Sequence, residues 1–209
     1  MKKVVINNYY PSEFDTQTSM GTKNELVVTY LSNIMRSKGI MEFLQACTLI
    51  TERHQNVKFQ MAGAFMGDHL KTRRQIKSQV NTYLKRNENL GLEFLGYLPV
   101  EKRLDFLSRS SILVFPSFYP SEAFPLVIVE AMRCGNAIVA SEHNYLPDIV
   151  RGNNGVIVPK RDSQAVATAV IDLIDNPQTL QNIISFNVNY AKLHFSESGY
   201  LKSLHRLLA

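Results

Sequence analysis

The 209-residue sequence predicts an α/β domain, a doubly wound, Rossmann-like parallel sheet of about six strands. Two observations carry that expectation. Short apolar runs alternate with amphipathic stretches about six times along the chain. One of those runs, Ser111-Ile112-Leu113-Val114-Phe115, is continuously apolar up to Pro116, as strands covered on both faces are. A hydrophobic content of 45% with 20% charged residues suits a soluble globular chain long enough to bury a sizeable core.

Taken in order, residues 11–24 are polar and irregular, as in a loop. Glu25 to Leu31 reads as the first strand, and Ile40, Phe43, Leu44 and Cys47 recur at helical spacing behind it. Val57 to Ala62 is the second strand. A basic helix follows from Lys71 to Arg86, with Ile76, Val80, Tyr83 and Leu84 on one side. Lys71, Arg73, Arg74, Lys77, Lys85 and Arg86 fall mostly on the other, with no acidic residue among them. That face reads either as solvated surface or as a patch for a membrane or phosphate. It lacks the interleaved aromatics that stack on single-stranded nucleic acid, so no nucleic-acid partner is expected.

Leu92 to Leu95 is the third strand, and Leu104, Phe106 and Leu107 mark a short helix. The run ending at Phe115 is the fourth strand, with Pro125 expected at the first position of the next helix. Ala137 to Ala140 and Gly155 to Val158 are the remaining strands, separated by a helical turn near 146–150. Asp162 or Ser163 caps a helix that buries Val166, Val170, Leu173 and Ile174. Two helical segments close the chain. The last is amphipathic through Tyr200, Leu201, Leu204, Leu207 and Leu208. The resulting division is a linker-like segment and loop (1–24), a main domain (25–195) and a terminal helix (196–209).

Several function classes are excluded. The net charge of +5 permits an anionic ligand or surface but selects none. Cys47 and Cys134 stand far apart, without metal-type spacing, and read as reduced thiols of a cytoplasmic protein. The apolar stretch after Lys2 and Lys3 is too short for a signal peptide, and no run reaches the length of a membrane span. No Asp-x-Asp and no paired histidines suggest a metal; His54, His69, His143, His194 and His205 read as surface residues, with His143 nearest the expected crevice. The glycine fingerprint for dinucleotides and the P-loop are absent, and Ser117 and Ser121 have no histidine at a hydrolase spacing.

The chemistry concentrates at Glu122 and Glu130, eight positions apart. Glu122 falls in the loop Ser117 to Phe124, at the carboxyl end of a parallel strand, where open α/β sheets bind ligands. Glu130 interrupts the apolar run Leu126 to Met132. A carboxylate buried there needs a partner, either a basic side chain or a ligand hydroxyl such as those of a ribose. The amides of Leu126 and Val127 open the helix and offer donors to phosphate, whereas Pro125 offers none.

Glu122-Ala123-Phe124-Pro125-Leu126-Val127-Ile128-Val129-Glu130 resembles the E-x7-E signature of the family 4 retaining glycosyltransferases, which have the GT-B fold. The resemblance covers roughly residues 25 to 195. It extends to Tyr30 through Gly39 (a first strand and basic, glycine-ended loop), Leu95-Gly96-Tyr97-Leu98, Cys134 through Ser141, Pro147 through Val150, and Asn154 through Val158. It implies a nucleoside-diphosphate sugar as donor substrate and no other cofactor or metal. It implies Lys38 on the diphosphate, Tyr97 and Leu98 at the base, Glu130 on the ribose hydroxyls, and Glu122 and Phe124 beside the transferred sugar. Arg36 stands where it could share the phosphate charge, since the family's earlier arginine is replaced by Ser32 or Asn33. Gly63 either lets backbone approach the ligand or simply makes a turn.

Val4 to Pro11 resembles the family's interdomain connection, so the acceptor-binding N-terminal domain is expected to be missing from this chain. Three outcomes are then open: a donor half needing an acceptor domain on another chain, a non-catalytic donor-binding module, or a silent interaction fragment. An open cleft would expose Glu122 and Phe124. The stripe Leu201, Leu204 and Leu208 would pack on its own domain, self-associate or receive a partner. Peripheral membrane contact belongs among the expected partners.

Overall fold

The computed structural model describes residues 8–10, 23 and 25–208. Six parallel strands form one sheet in the order β3-β2-β1-β4-β5-β6. They are β1 (Val27–Leu31), β2 (Lys58–Ala62), β3 (Leu92–Phe94), β4 (Ile112–Phe115), β5 (Ala137–Ser141) and β6 (Gly155–Val158). The helices among the described residues are α1 (Ile40–Arg53), α2 (Arg73–Arg86), α3 (Val100–Ser108), α4 (Leu126–Arg133), α5 (Leu146–Ile149), α6 (Ser163–Asp175), α7 (Pro177–His194) and α8 (Glu197–Leu208).

Alternate residues of the central strands enter two cores, one on each side of the sheet. Ile112 and Val114 pack with residues of α1, α2 and α6, including Phe43, Leu44, Ile76 and Val170. Leu113 and Phe115 face the other way, onto Leu107, Ile128, Met132 and Leu146 of α3, α4 and α5. All four are buried, which is why this strand carries no polar position.

Local chemistry sets the helix starts. Thr72 and Gln75 form a reciprocal capping box at the head of α2. Asp162, one of the two expected caps, accepts the Ala165 amide at 2.9 Å. Pro125 differs from expectation: it is the residue before α4, with φ −72° and ψ 108°, and Leu126 is the first helical residue. Proline's ring fixes φ but not ψ, so it suits the extended approach to a helix as well as its first turn.

The two ends of the described chain meet. The Tyr10 amide donates to the Phe195 carbonyl at 3.0 Å, and the rings of Tyr9 and Tyr200 lie 4.7 Å apart. On α8, Leu204 is partly buried while Leu201 and Leu207 remain largely exposed. The expectations for residues 1–7, 11–22 and 24, and for the Leu208 side chain, lie outside the described residues. Both cysteines are buried and unbonded to each other, and burial pushes the Cys134 thiol up to about 12.

Candidate functional site

A sheet ordered 3-2-1-4-5-6 reverses its winding between β1 and β4, so the loops leaving those two strands diverge and leave a crevice. A cleft of about 260 Å³ lies there. Leu31, Ser32, Asn33 and Lys38 line it from the β1 side, Gly63 from the end of β2, Tyr97 and Leu98 from beyond β3, and Arg103 from α3. Phe115, Glu122, Pro125 and Val127 close it from the β4 side.

The loop after β1 makes one 3-10 turn, Arg36–Lys38, which delivers Lys38 to the cleft. Gly39 ends the turn at φ 77°, and a Cβ there would lie 2.1 Å from the Pro116 carbonyl oxygen. Glycine therefore lets the β1 and β4 loops touch. Asp68 anchors the turn from below. One of its oxygens takes the Ser37 amide and hydroxyl, both at 2.7 Å, and the other takes the Leu70 and Lys71 amides at 2.8 Å. Burial alone would raise this carboxyl, but the donors outweigh it and hold the group at about 2.

The loop after β4 is held by its neighbour after β5. The Ser141 hydroxyl donates to the Ser117 carbonyl, and Asn144 Nδ2 donates to the Pro120 and Glu122 carbonyls at 3.0 Å each. His143 Nε2 lies 2.9 Å from the Tyr119 carbonyl. His143 thus supports the loop and does not line the cleft.

These two loops bring Lys38 and Glu122 together. Lys38 Nζ is 2.7 Å from Glu122 Oε2, with side chains 14% and 6% exposed. The Ser117 hydroxyl donates to the same oxygen at 2.5 Å. The Tyr119 ring lies under the ammonium, 4.7 Å from its centroid. The expected exposure of Glu122 is therefore corrected: its own loop folds over it once Lys38 and Ser117 satisfy the carboxylate. Phe124 is half-buried as well, edge-on to Phe195 at 5.6 Å, and is not among the lining residues.

Glu130 sits one layer behind, 4% exposed. Arg103 Nη2 approaches Oε1 at 3.3 Å, while buried Oε2 has no hydrogen-bond partner among the described residues. Burial raises this carboxyl despite the opposing pull of Arg103. The basic partner foreseen as one alternative is thus present for one oxygen only. Val127 reaches the cleft; Leu126 lies on the exposed side of α4. The Ile128 amide bonds back to the Pro125 carbonyl at 3.1 Å, and the amides of Leu126 and Val127 precede the first helical hydrogen bond.

Arg36 is turned elsewhere. Its guanidinium holds the buried Glu42 carboxylate with two bonds of 2.7 and 2.8 Å, and it does not line the cleft. Gly63 does line it, but its conformation is demanded by backbone. At φ 148°, a Cβ would lie 1.8 Å from the Ser32 carbonyl oxygen. Arg103 and Ser117 were not anticipated as site residues. Arg103 lies 27 positions before Glu130 on a separate helix with no signal linking the two, and nothing local marks the Ser117 hydroxyl as a donor to Glu122. Among the described residues no group of His, Cys, Asp and Glu could hold a metal ion.

The model of the family described as Glycosyl transferases group 1 matches residues 13–188. The capsular polysaccharide biosynthesis glycosyltransferase CapM of Staphylococcus aureus is 28% identical over 165 residues, which are 78% of this chain and 40% of CapM. The crystal structure of HepE from Anabaena with UDP and glucose aligns with a TM-score of 0.78 at 22% identity, over 98% of this chain and 56% of HepE. The C-terminal domain of LpcC, a glycosyl transferase group 1 family protein of Francisella tularensis, aligns with a TM-score of 0.73 at 20% identity, over 90% of this chain and 96% of that domain. This chain spans 39 to 46% of the length of the first curated relatives it matches. It belongs to the glycosyl transferases group 1 family, and its α/β domain has the fold of a GT-B half-domain.

Proposed function

We propose that this chain is the donor-binding half of a retaining glycosyltransferase that takes a nucleoside-diphosphate sugar and works with an acceptor-binding domain. The observation that carries the reading is the buried Lys38–Glu122 pair in a cleft at the carboxyl ends of the strands. An ammonium beside helix amides suits a diphosphate, and a carboxylate next to it suits sugar hydroxyls. Glu130, with one carboxylate oxygen unbonded, suits ribose hydroxyls reached through movement of Arg103. Tyr97, 71% exposed at the cleft rim, offers a flat surface to the base.

In the transfer, the bond from the anomeric carbon to the diphosphate breaks and its electron pair leaves with the phosphate. Lys38 and the Leu126 and Val127 amides meet the negative charge that builds there, and Glu122 meets the positive charge that builds on the sugar. The acceptor hydroxyl oxygen forms the new bond to the anomeric carbon on the same face, in a water-poor space, and its proton passes to the departing phosphate oxygen. In a GT-B enzyme the second wall of that space comes from the other domain, so the chain alone should turn over little sugar.

Titration calorimetry of the chain with UDP, GDP, ADP and the matching nucleosides is the test. Lys38→Ala should lower affinity for the diphosphate far more than for the nucleoside, and Arg36→Ala should change the ratio little. Equal losses on both ligands, or no binding of any of them, would sink the donor-site reading.

A further inference from the structure

Outside the cleft, the flank formed by α2 and the edge strand β3 combines two unusual features. The first is unpaired positive charge. Arg74, Lys77 and Lys85 are exposed along the outer face of α2, flanked by Arg73 and Arg86, and none joins an ion pair among the described residues. The one acidic residue between positions 64 and 87 is Asp68, whose carboxylate is already occupied by Ser37, Leu70 and Lys71. The second feature is exposed apolar surface beside that charge. Met66 and Leu70 are 44% and 43% exposed at the head of α2, and Phe94 and Leu95 are 39% and 38% exposed at the sheet edge.

The two features form one surface. Phe65 packs edge-on against Phe94 at 5.6 Å, and Lys77 Nζ lies 6.0 Å above the Phe65 ring. Tyr97, three residues beyond Phe94, is exposed at the cleft rim.

We propose that the α2–β3 flank docks on an anionic lipid bilayer. The basic stripe would meet headgroup phosphates while Met66, Leu70, Phe94 and Leu95 enter the interfacial layer. Charge complementarity selects the occupant. An uncharged protein partner leaves the stripe without counter-charge, and a polyanion in water leaves the four apolar side chains without cover. Docking in this way holds the cleft near the headgroups, because Tyr97 and Leu98 of its lining follow Phe94 by three and four residues.

Co-sedimentation of the chain with vesicles tests it and needs no sugar donor, so its failure is separable from failure of the proposed activity. Phosphatidylcholine vesicles should retain little protein, and vesicles with about one-third phosphatidylglycerol should retain most of it at low salt. The combined change Arg74→Glu, Lys77→Glu and Lys85→Glu should lower partition by at least about a hundredfold, roughly fivefold for each of three positive charges removed, and the three added carboxylates should lower it further. Met66→Ser with Leu70→Ser should lower it about tenfold or more while leaving the salt dependence unchanged. Each variant should keep the parent circular dichroism and nucleotide affinity. No retention on anionic vesicles, equal retention on neutral ones, or an unaffected charge-reversal variant would overturn the proposal. So would binding to RNA or an acidic polypeptide with none to vesicles.

Discussion

The cleft and the α2–β3 flank are both rich in cations but treat charge in opposite ways. In the cleft, Lys38 is paired with buried Glu122, and next to it Arg36 with buried Glu42. On the flank, Arg74, Lys77 and Lys85 are exposed and join no ion pair among the described residues. The difference decides what each charge can do. A desolvated pair holds geometry, because removing one member strands the other in a low dielectric. Exposed, unpaired charges hold nothing in place, and they act together on something outside the molecule.

Lys38→Ala should have the largest effect on stability. It leaves Glu122 buried with only Ser117 as partner, and should cost about 3 kcal/mol in urea unfolding. Adding Glu122→Gln should recover part of that loss, and a fully additive double variant would show that the pair is not coupled. Asp68→Asn comes next, at about 1 kcal/mol near neutral pH, because the carboxyl is depressed from 3.8 to about 2 but solvent screens part of that gain. A depressed folded value stabilises above the ordinary value and loses that contribution as pH falls toward about 2. The gap between parent and variant should therefore close on acidification through that window.

Glu130→Gln should act with the opposite sign. Burial raises this carboxyl above its ordinary 4.5, so its ionisation costs stability as pH rises beyond that value. The glutamine variant should match the parent in acid and exceed it at neutral pH, by less than the Asp68 effect. It should also bind a nucleoside diphosphate more weakly, by about 1–3 kcal/mol. A variant both less stable and unaltered in binding would make Glu130 a structural residue. The smallest effect belongs to the flank: Arg74→Gln with Lys85→Gln should shift stability by no more than about 0.5 kcal/mol. A larger shift in thermal unfolding would mean that these charges do have intramolecular partners.

The strands were legible because burial on both faces forces consecutive apolar residues, as at Ile112 to Phe115. The start of α6 was legible because Asp162 acts on an amide three residues away. Glu122 and Lys38 were legible as a pair of motifs through resemblance, each a short local pattern beside a strand end. Glu130 was legible as a carboxylate in need of a partner. Arg103 was not, because nothing local distinguishes it from Lys102 or Arg109; only packing of α3 against α4 turns its guanidinium to Glu130. The pairing of Arg36 with Glu42 was not legible for the same reason: the bend at Gly39 that lets the two meet is a tertiary contact with Pro116.

Layer architecture, strand count and the crevice end of the sheet can be read from amino-acid order alone, since they follow from periodicities of two and 3.6 residues and from short-range capping. Which charges are neutralised follows from long-range packing. Whether a lysine meets a carboxylate or water depends on residues 84 positions apart for Lys38 and Glu122, brought together by two loops that touch where the sheet reverses. Local chemistry specifies where charge is carried, and the long-range fold specifies what screens it, because an ionised group's energy is set by the dielectric and the partners within a few ångströms.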